Sequence, residues 1–256
     1  MNRIINNYIF NDNHYHSKKQ LFYASFFTLF TIIALALDSV FFSTHYFDGK
    51  FLTNCLAILY FGLFFFTSKL HLKKLMITMV FLSYIGEVIF CKLLGMYNYR
   101  SVAIPLYVPF GHAIVYASGY VLANTEWALK NDKKLRKGFA LFFITLFLGV
   151  GIFLNDLFSL LFGILFFLLL KRKHWHNLYC FIALCVIFIE LVGTYFGCWV
   201  WESKIFGVLS ASNPPMGAVF FYAGGDVLLA KIVSYYDIKK IKISSKQNEL
   251  HRSKIN

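Results

Sequence analysis

The chain is a succession of apolar stretches, each about as long as a bilayer is thick, separated by short segments in which basic residues collect. The stretches run at roughly 21–42, 51–68, 72–95, 109–129, 138–154, 157–170, 177–199 and 214–236. A hydrocarbon core of ~30 Å takes about 20 residues of helix. Only 14% of the residues are charged and 59% are hydrophobic, where soluble domains carry about 25% charge. The chain therefore reads as an all-α, polytopic membrane helix bundle of about eight transmembrane helices. The fifth and sixth stretches are split by Asn155 and Asp156 alone and the sixth is short. They read as a hairpin of two spans or as one broken helix.

Charge orients the bundle, because cytoplasmic loops collect Lys and Arg. Of the 25 basic residues, 20 fall in the N-terminal segment, in the loops 69–74, 130–137 and 171–173, and in the C-terminal segment. Eight spans with both termini cytoplasmic is the arrangement that puts all of these on one side. The chain then divides into a cytoplasmic tail (1–20), one transmembrane domain (21–236) and a basic cytoplasmic tail (237–256), whose Lys-rich sequence reads as a disordered segment near anionic headgroups. The first twenty residues lack a small-residue cleavage site, so the first span is expected to stay as an anchor. The net charge of +13 is spread over loops and not gathered on one face, so no nucleic-acid partner is expected. His14 and His16 in the polar N-terminal segment read as solvated and not as metal ligands. The five cysteines show no ligand spacing and read as small packing residues.

Two segments repeat one plan. "GMYNYR" (95–100) superposes on "GCWVWE" (197–202), and "PFGHAIVYASGY" (109–120) on "PMGAVFFYAGGD" (215–226). Glu87 and Glu190 precede the two repeat glycines by eight and seven residues. Spans 3 with 4 and 7 with 8, about 72–129 and 177–236, thus read as an internal parallel duplication. Both aromatic turns fall on the non-cytoplasmic side, with the glutamates about 10–12 Å beneath it at 1.5 Å per residue and Asp226 near the midplane.

Carboxyl groups in a membrane interior cost about 2.5–3.5 kcal/mol each and mark functional sites by default. Residues four apart share a helix face. Ser83, Glu87, Cys91 and Gly95 form one stripe, Glu190, Gly193 and Gly197 another, and His112, Tyr116 and Tyr120 a third. Small neighbours let helices approach, so the glutamates are expected to face inward. The expected site has Glu87, Glu190 and Asp226 as its acids, Glu190 and Glu87 being the proton donor and its partner and Asp226 the polar floor. Its walls are expected from Asp38, Tyr97, Tyr99, His112, Tyr116, Trp199, Trp201, Asn213 and Tyr222, with "SNPPMG" (212–217) edging the mouth.

A carboxyl withdrawn from water holds its proton and is available as a general acid, and aromatic faces stabilise a nearby cation. Together they suit protonation of an alkene in an apolar lipid, followed by capture of the cation by water or by ring closure. The order of Glu87, "GMYNYR" and "IPLYVPFGHA" resembles the multi-span carotenoid hydratases of the bisanhydrobacterioruberin type, over spans 3–4 and 7–8. That resemblance implies water addition to a polyene end with no metal or organic cofactor. Membrane terpene cyclases of meroterpenoid pathways are similar in size and in their scattered acids. "ELVGTYFGCWVW" and "SASNPPMGAVFFYAGGD" look closer still to bacterial polytopic membrane proteins without an assigned activity. His112 departs from the hydratase pattern, where a bulky apolar residue is expected, so the substrate does not carry over. The expected partners are membrane lipid and an apolar small molecule, in a bacterial inner membrane. The rival readings are a proton-coupled transporter, which would need polarity continuing to the cytoplasmic end, and a non-enzymatic membrane protein. No Walker, Rossmann, HExxH or nucleophile-elbow pattern is present.

Overall fold

The computed structural model describes residues 17–252 apart from 102 and 175. His14 and His16 lie outside the described residues. Helices stand at all eight expected positions, and six are long and apolar enough to cross a membrane. The chain is thus a multi-pass membrane protein of helical build. The two shorter helices are the buried Tyr107–Ala123 and the second arm of the 155–156 hairpin, Leu157–Arg172.

The first helix, α1 (Lys18–Leu37), starts on a reciprocal cap. Ser17 Oγ accepts from the Gln20 amide at 3.2 Å, and Gln20 Oε1 accepts from the Ser17 amide at 3.0 Å, which satisfies two donors that a helix start leaves open. A short α2 (Val40–His45) follows, then α3 (Lys50–Thr67) and α4 (Leu70–Glu87). At Glu87 the α4 ladder widens into a π-turn, Val88–Leu93. Such turns are rare and cluster at functional sites.

The centre of the bundle is α5 (Tyr107–Ala123), which packs against α1, α3, α4 and α9 (Asn177–Tyr195). Its sequence explains its position: Ala113, Ala117, Gly119 and Ala123 give it a thin waist. A Cβ on Gly119 would lie 2.6 Å from Ile182 Cγ1 and 2.8 Å from Ile182 Cα. Glycine there lets α5 and α9 touch backbone to side chain.

After the short α6 (Glu126–Lys130) come α7 (Asp132–Phe153) and α8 (Leu157–Arg172). These last two are separate helices packed against each other and not one broken helix. Asn155 turns the chain with φ of 52°, a conformation that Asn tolerates better than most residues. Asp156 then caps α8, accepting from the Ser159 amide at 2.7 Å, from Ser159 Oγ at 2.7 Å and from Ser212 Oγ at 2.6 Å. The final helix, α10 (Val219–Arg252), follows a 3₁₀ turn at Met216–Ala218. As far as Arg252 its backbone is helical, within the basic segment that was expected to be a disordered tail. Lys, Gln and Glu are good helix formers, and charge density alone hid that preference.

Two small antiparallel ladders, absent from the sequence reading, close one end of the bundle. β1 (Tyr97–Tyr99) pairs with β2 (Trp199–Trp201), in the register Tyr97 with Trp201, Asn98 with Val200 and Tyr99 with Trp199. β3 (Lys204–Ile205) pairs with β4 (Leu209–Ser210). The opposite end carries the basic loops.

Candidate functional site

Both acid-bearing helices end alike. Gly95 and Gly197 adopt φ of 59° and 68°, the left-handed conformation that commonly stops a helix, and each sends the chain into an aromatic strand two residues later. Side chains of the β1–β2 ladder then reach back into the bundle. Tyr97 and Tyr99 donate to Glu87 Oε2 at 2.8 and 2.6 Å, and His112 Nε2 lies 2.9 Å from Glu87 Oε1. On the other arm, Trp199 Nε1 and Trp201 Nε1 donate to Glu190 Oε2 at 2.8 and 3.0 Å, and Tyr222 donates to Glu190 Oε1 at 2.8 Å. The two clusters meet where the His112 ring stacks on Tyr222, centroids 5.1 Å apart and planes 17° from parallel, and where Tyr97 lies 4.7 Å from Trp201.

Burial, reinforced by the neighbouring Glu87 charge, pushes the phenols of Tyr97 and Tyr99 well above their usual titration range. They remain O–H donors at any working pH. Trp199 is seated by Gly193, where a side chain would overlap the indole ring. Gly193→Ala is therefore expected to lift Trp199 off Glu190 and to destabilise by about 1–3 kcal/mol, the usual cost of overpacking. Gly149→Ala, where a Cβ meets no atom within 4 Å, should be neutral or slightly stabilising. Thermal unfolding in detergent with tryptophan emission as the readout separates the two.

Two cavities flank these clusters. The smaller, about 70 Å³, lies between them and is walled by Glu87, Tyr99, His112, Glu190, Trp199 and Tyr222 among others. At ~30 Å³ per water it has room for about two. The larger, about 410 Å³, lies between α4 and α10. Ser83, Glu87, Tyr97, His112, Tyr116, Trp201, Tyr222 and Asp226 give its polar atoms, and Met, Leu, Ile, Val and Phe side chains form most of the rest. Asp226 is only 4% exposed, and its Oδ2 makes no hydrogen bond. A buried polar atom without a partner calls for an explanation, and this one belongs to a residue of the cavity wall. Towards the basic end the core is closed by Leu75, Met76, Leu229 and Val233.

No family model, curated protein or solved structure matches this chain. Among the described residues, no set of three or more His, Cys, Asp or Glu side chains converges to hold a metal ion.

The structure brings ten of the twelve anticipated residues into the two cavity walls. Glu190, expected as the proton donor, is enclosed by three N–H and O–H donors and borders the small cavity alone. Asp226, expected as the third acid and the polar floor, lines the large one and has a carboxyl oxygen without a hydrogen-bond partner. Asp38 and Asn213 stand in neither wall. Asp38, 1% exposed, accepts from Arg100 at 2.6 Å and from Tyr107 Oη at 2.8 Å, and Asn213 Oδ1 accepts from the Trp201 amide at 3.0 Å. Both hold the ladder end together. Arg100 also binds Asp48 at 2.6 Å. Burial works against its charge, but the hydrogen bonds and charges of the two aspartates outweigh that and hold the guanidinium protonated well above its usual range. The sequence reading did not assign this clamp, although Arg100 stands out as a lone cation beside the first aromatic turn.

Proposed function

We propose that this protein is a membrane-embedded acid catalyst that adds water to, or cyclises, an unsaturated apolar lipid of isoprenoid type. The observation that carries this reading is the partner-free, buried carboxyl oxygen of Asp226 in the wall of a largely apolar cavity. Asp226 follows Met216 by ten residues, about 15 Å of helix, within an apolar stretch that runs from Met216 to Lys239. A general acid must reach a substrate atom, and Asp226 is the acid whose oxygen is not committed elsewhere. In this mechanism Asp226 gives its proton to an alkene carbon, and the faces of Trp201, Tyr222 and Phe221 stabilise the cation that forms. In hydration, a water from the small cavity adds to the cation. It loses a proton to the Glu87–His112 pair, and that proton returns to Asp226 before the next turnover, so hydration consumes no net proton. In cyclisation a second double bond takes the place of water, and proton loss from the ring restores the acid.

The paired clusters support reading the two halves as an internal duplication whose copies have diverged: the second helix of each supplies a donor, His112 in one and Tyr222 in the other, from different positions. We further propose that all eight helices cross a bacterial cytoplasmic membrane, with the basic loops and both termini inside and the β1–β2 ladder outside. The apolar packing of Leu75, Met76, Leu229 and Val233 argues for a cavity closed on the cytoplasmic side, as an enzyme needs and a transporter does not.

The test is untargeted mass spectrometry of apolar lipids from isoprenoid-producing cells that express wild type, Asp226→Asn or Glu87→Gln at equal levels. A product heavier than its precursor by one water, or isomeric with it, is expected in wild type. It should fall by about 10²-fold or more in Asp226→Asn, the usual contribution of a positioned acid. Identical lipid profiles in all three strains would remove the enzymatic reading in favour of proton-coupled transport.

A further inference from the structure

The wall of the large cavity includes Ile85, Ile89 and Leu228, which are exposed on the outer face of the bundle at 56%, 39% and 47%. The cavity therefore reaches the lipid-facing surface between α4 and α10. These helices run antiparallel and are joined at two levels. Lys74 pairs with Asp237 near the basic end, and Phe90 meets Phe221 edge to face, 5.0 Å between centroids, near the ladder end. Both joints are sixteen residues apart along their helices, about 24 Å. The same register sets Gly86 opposite Gly225, with Gly224 and Asp226 on either side of it.

Glycines of this bundle are of two kinds: a Cβ at Gly119, Gly163, Gly193 or Gly217 would strike a neighbouring element, whereas at Gly62, Gly111, Gly138 or Gly149, none of which borders Asp226, it would meet nothing within 4 Å. At Gly224 and Gly225 it would meet nothing within 4 Å, and at Gly86 only the edge of the Phe90 ring from 3.9 Å. Here glycine keeps space open where it could have brought helices together. The space ends at Asp226, whose buried Oδ2 lacks a partner.

We infer that Gly86, Gly224 and Gly225 frame a lateral window through which the neutral end of a long isoprenoid chain enters from the bilayer, while the rest of the lipid stays outside. This rests on the acid-catalyst reading and names the part of the substrate that is read. At ~30 Å³ for a water-sized group, a cavity of about 410 Å³ takes about a dozen non-hydrogen atoms, two or three isoprene units. A longer chain must protrude, and the window faces the medium into which it can protrude. Among the described residues, no Lys or Arg lines the cavity. With two carboxyl groups in the wall, a phosphate or diphosphate end is unfavourable and an uncharged, unsaturated end fits.

The experiment uses the full chain in lipid nanodiscs with three photoprobes: a 30-carbon polyprenol bearing a diazirine on its terminal isoprene, the same chain with its diazirine beside a diphosphate head, and a phosphatidylcholine with a diazirine at an acyl end. Adducts are mapped by peptide mass spectrometry. The polyprenol is expected to label 82–90 and 219–228, and the other two probes to leave both segments at background. Gly225→Leu should abolish that labelling and Gly225→Ala should largely keep it. Gly86→Leu closes the window from the other helix, so a folding defect in one variant does not decide the result. Asp226→Asn should keep the labelling while losing product, which separates the window from the chemistry. If labelling of both segments survives Gly225→Leu and Gly86→Leu, the window is refuted. Equal labelling by the phospholipid or the diphosphate probe refutes the specificity for a neutral isoprenoid end. Labelling that follows the window in cells with unchanged lipids would uphold the window and overturn the acid catalyst.

Discussion

Glu190→Ala is expected to destabilise the protein by about 3–5 kcal/mol. The alanine would remove the acceptor of two indole N–H groups and one phenol, all three on buried or half-buried side chains. Each buried donor left without an acceptor costs about 1–3 kcal/mol, and partial relaxation of Tyr222 keeps the total below the sum. Glu190→Gln keeps one acceptor oxygen and turns a donor toward the others, so an intermediate loss is expected. Glu202→Ala, which removes an exposed contact to Asn98, should stay within about 0.5 kcal/mol, as surface changes usually do. Thermal unfolding in detergent, followed by near-ultraviolet circular dichroism of the tryptophans, reads all three. A loss in Glu190→Ala no greater than that in Glu202→Ala would mean that the indoles do not depend on this carboxylate.

Arg100→Met should cost a similar amount for a different reason. Asp38 is buried and takes its positive charge from Arg100, while Asp48, the other partner of Arg100, is exposed. Stripping the cation from a buried pair typically costs about 3–5 kcal/mol, because the remaining charge has no solvent to turn to. Asp38→Asn in the Arg100→Met background should recover part of that loss, and the double-mutant cycle isolates the coupling. Additive single losses would show that the clamp is not energetically coupled. With the Arg100 pKa raised, its contribution is present below the ordinary arginine value and is lost only above the raised one, beyond alkaline working conditions. Asp48 is held below the usual carboxylate range, chiefly by its hydrogen bond from Arg100. Its small, solvent-screened contribution is present above the ordinary value and fades as acid takes the pH through the lowered one.

Much of the site was legible because its residues violate the rules of their surroundings. A glutamate in an apolar run, twice, each followed by a glycine and alternating aromatics, is a conspicuous pattern, and Glu87, Glu190, Tyr97, Tyr99, Trp199, Trp201, His112 and Tyr222 do converge. Their different hydrogen bonding was not legible. Glu190 and Asp226 look equivalent as letters, and only the positions of Trp199, Trp201 and Tyr222 reveal that one is fully engaged and the other is not. The β1–β2 ladder was invisible for a related reason. Three-residue strands carry no periodicity to detect, and their pairing joins residues a hundred positions apart. The π-turn after Glu87 likewise leaves no mark in a sequence that reads as continuous helix through Leu93. The helices themselves follow from apolar length, and the basic end of α10 was missed because charge outweighed propensity in the reading.

One further property follows from the unequal arms of the α7–α8 hairpin. With 22 residues, α7 measures about 33 Å, whereas α8, with 16, measures about 24 Å. Leu161, Ile164 and Leu168 of α8 are exposed on the outer surface, so lipid meets a hydrophobic wall shorter than its own ~30 Å core. If α8 crosses the membrane as proposed, the bilayer is expected to thin on that flank, at a cost of a fraction of a kcal/mol for each ångström of mismatch. Such a protein is better matched to thin, fluid membranes than to thick, ordered ones, and its abundance should follow bilayer thickness when acyl-chain length is varied.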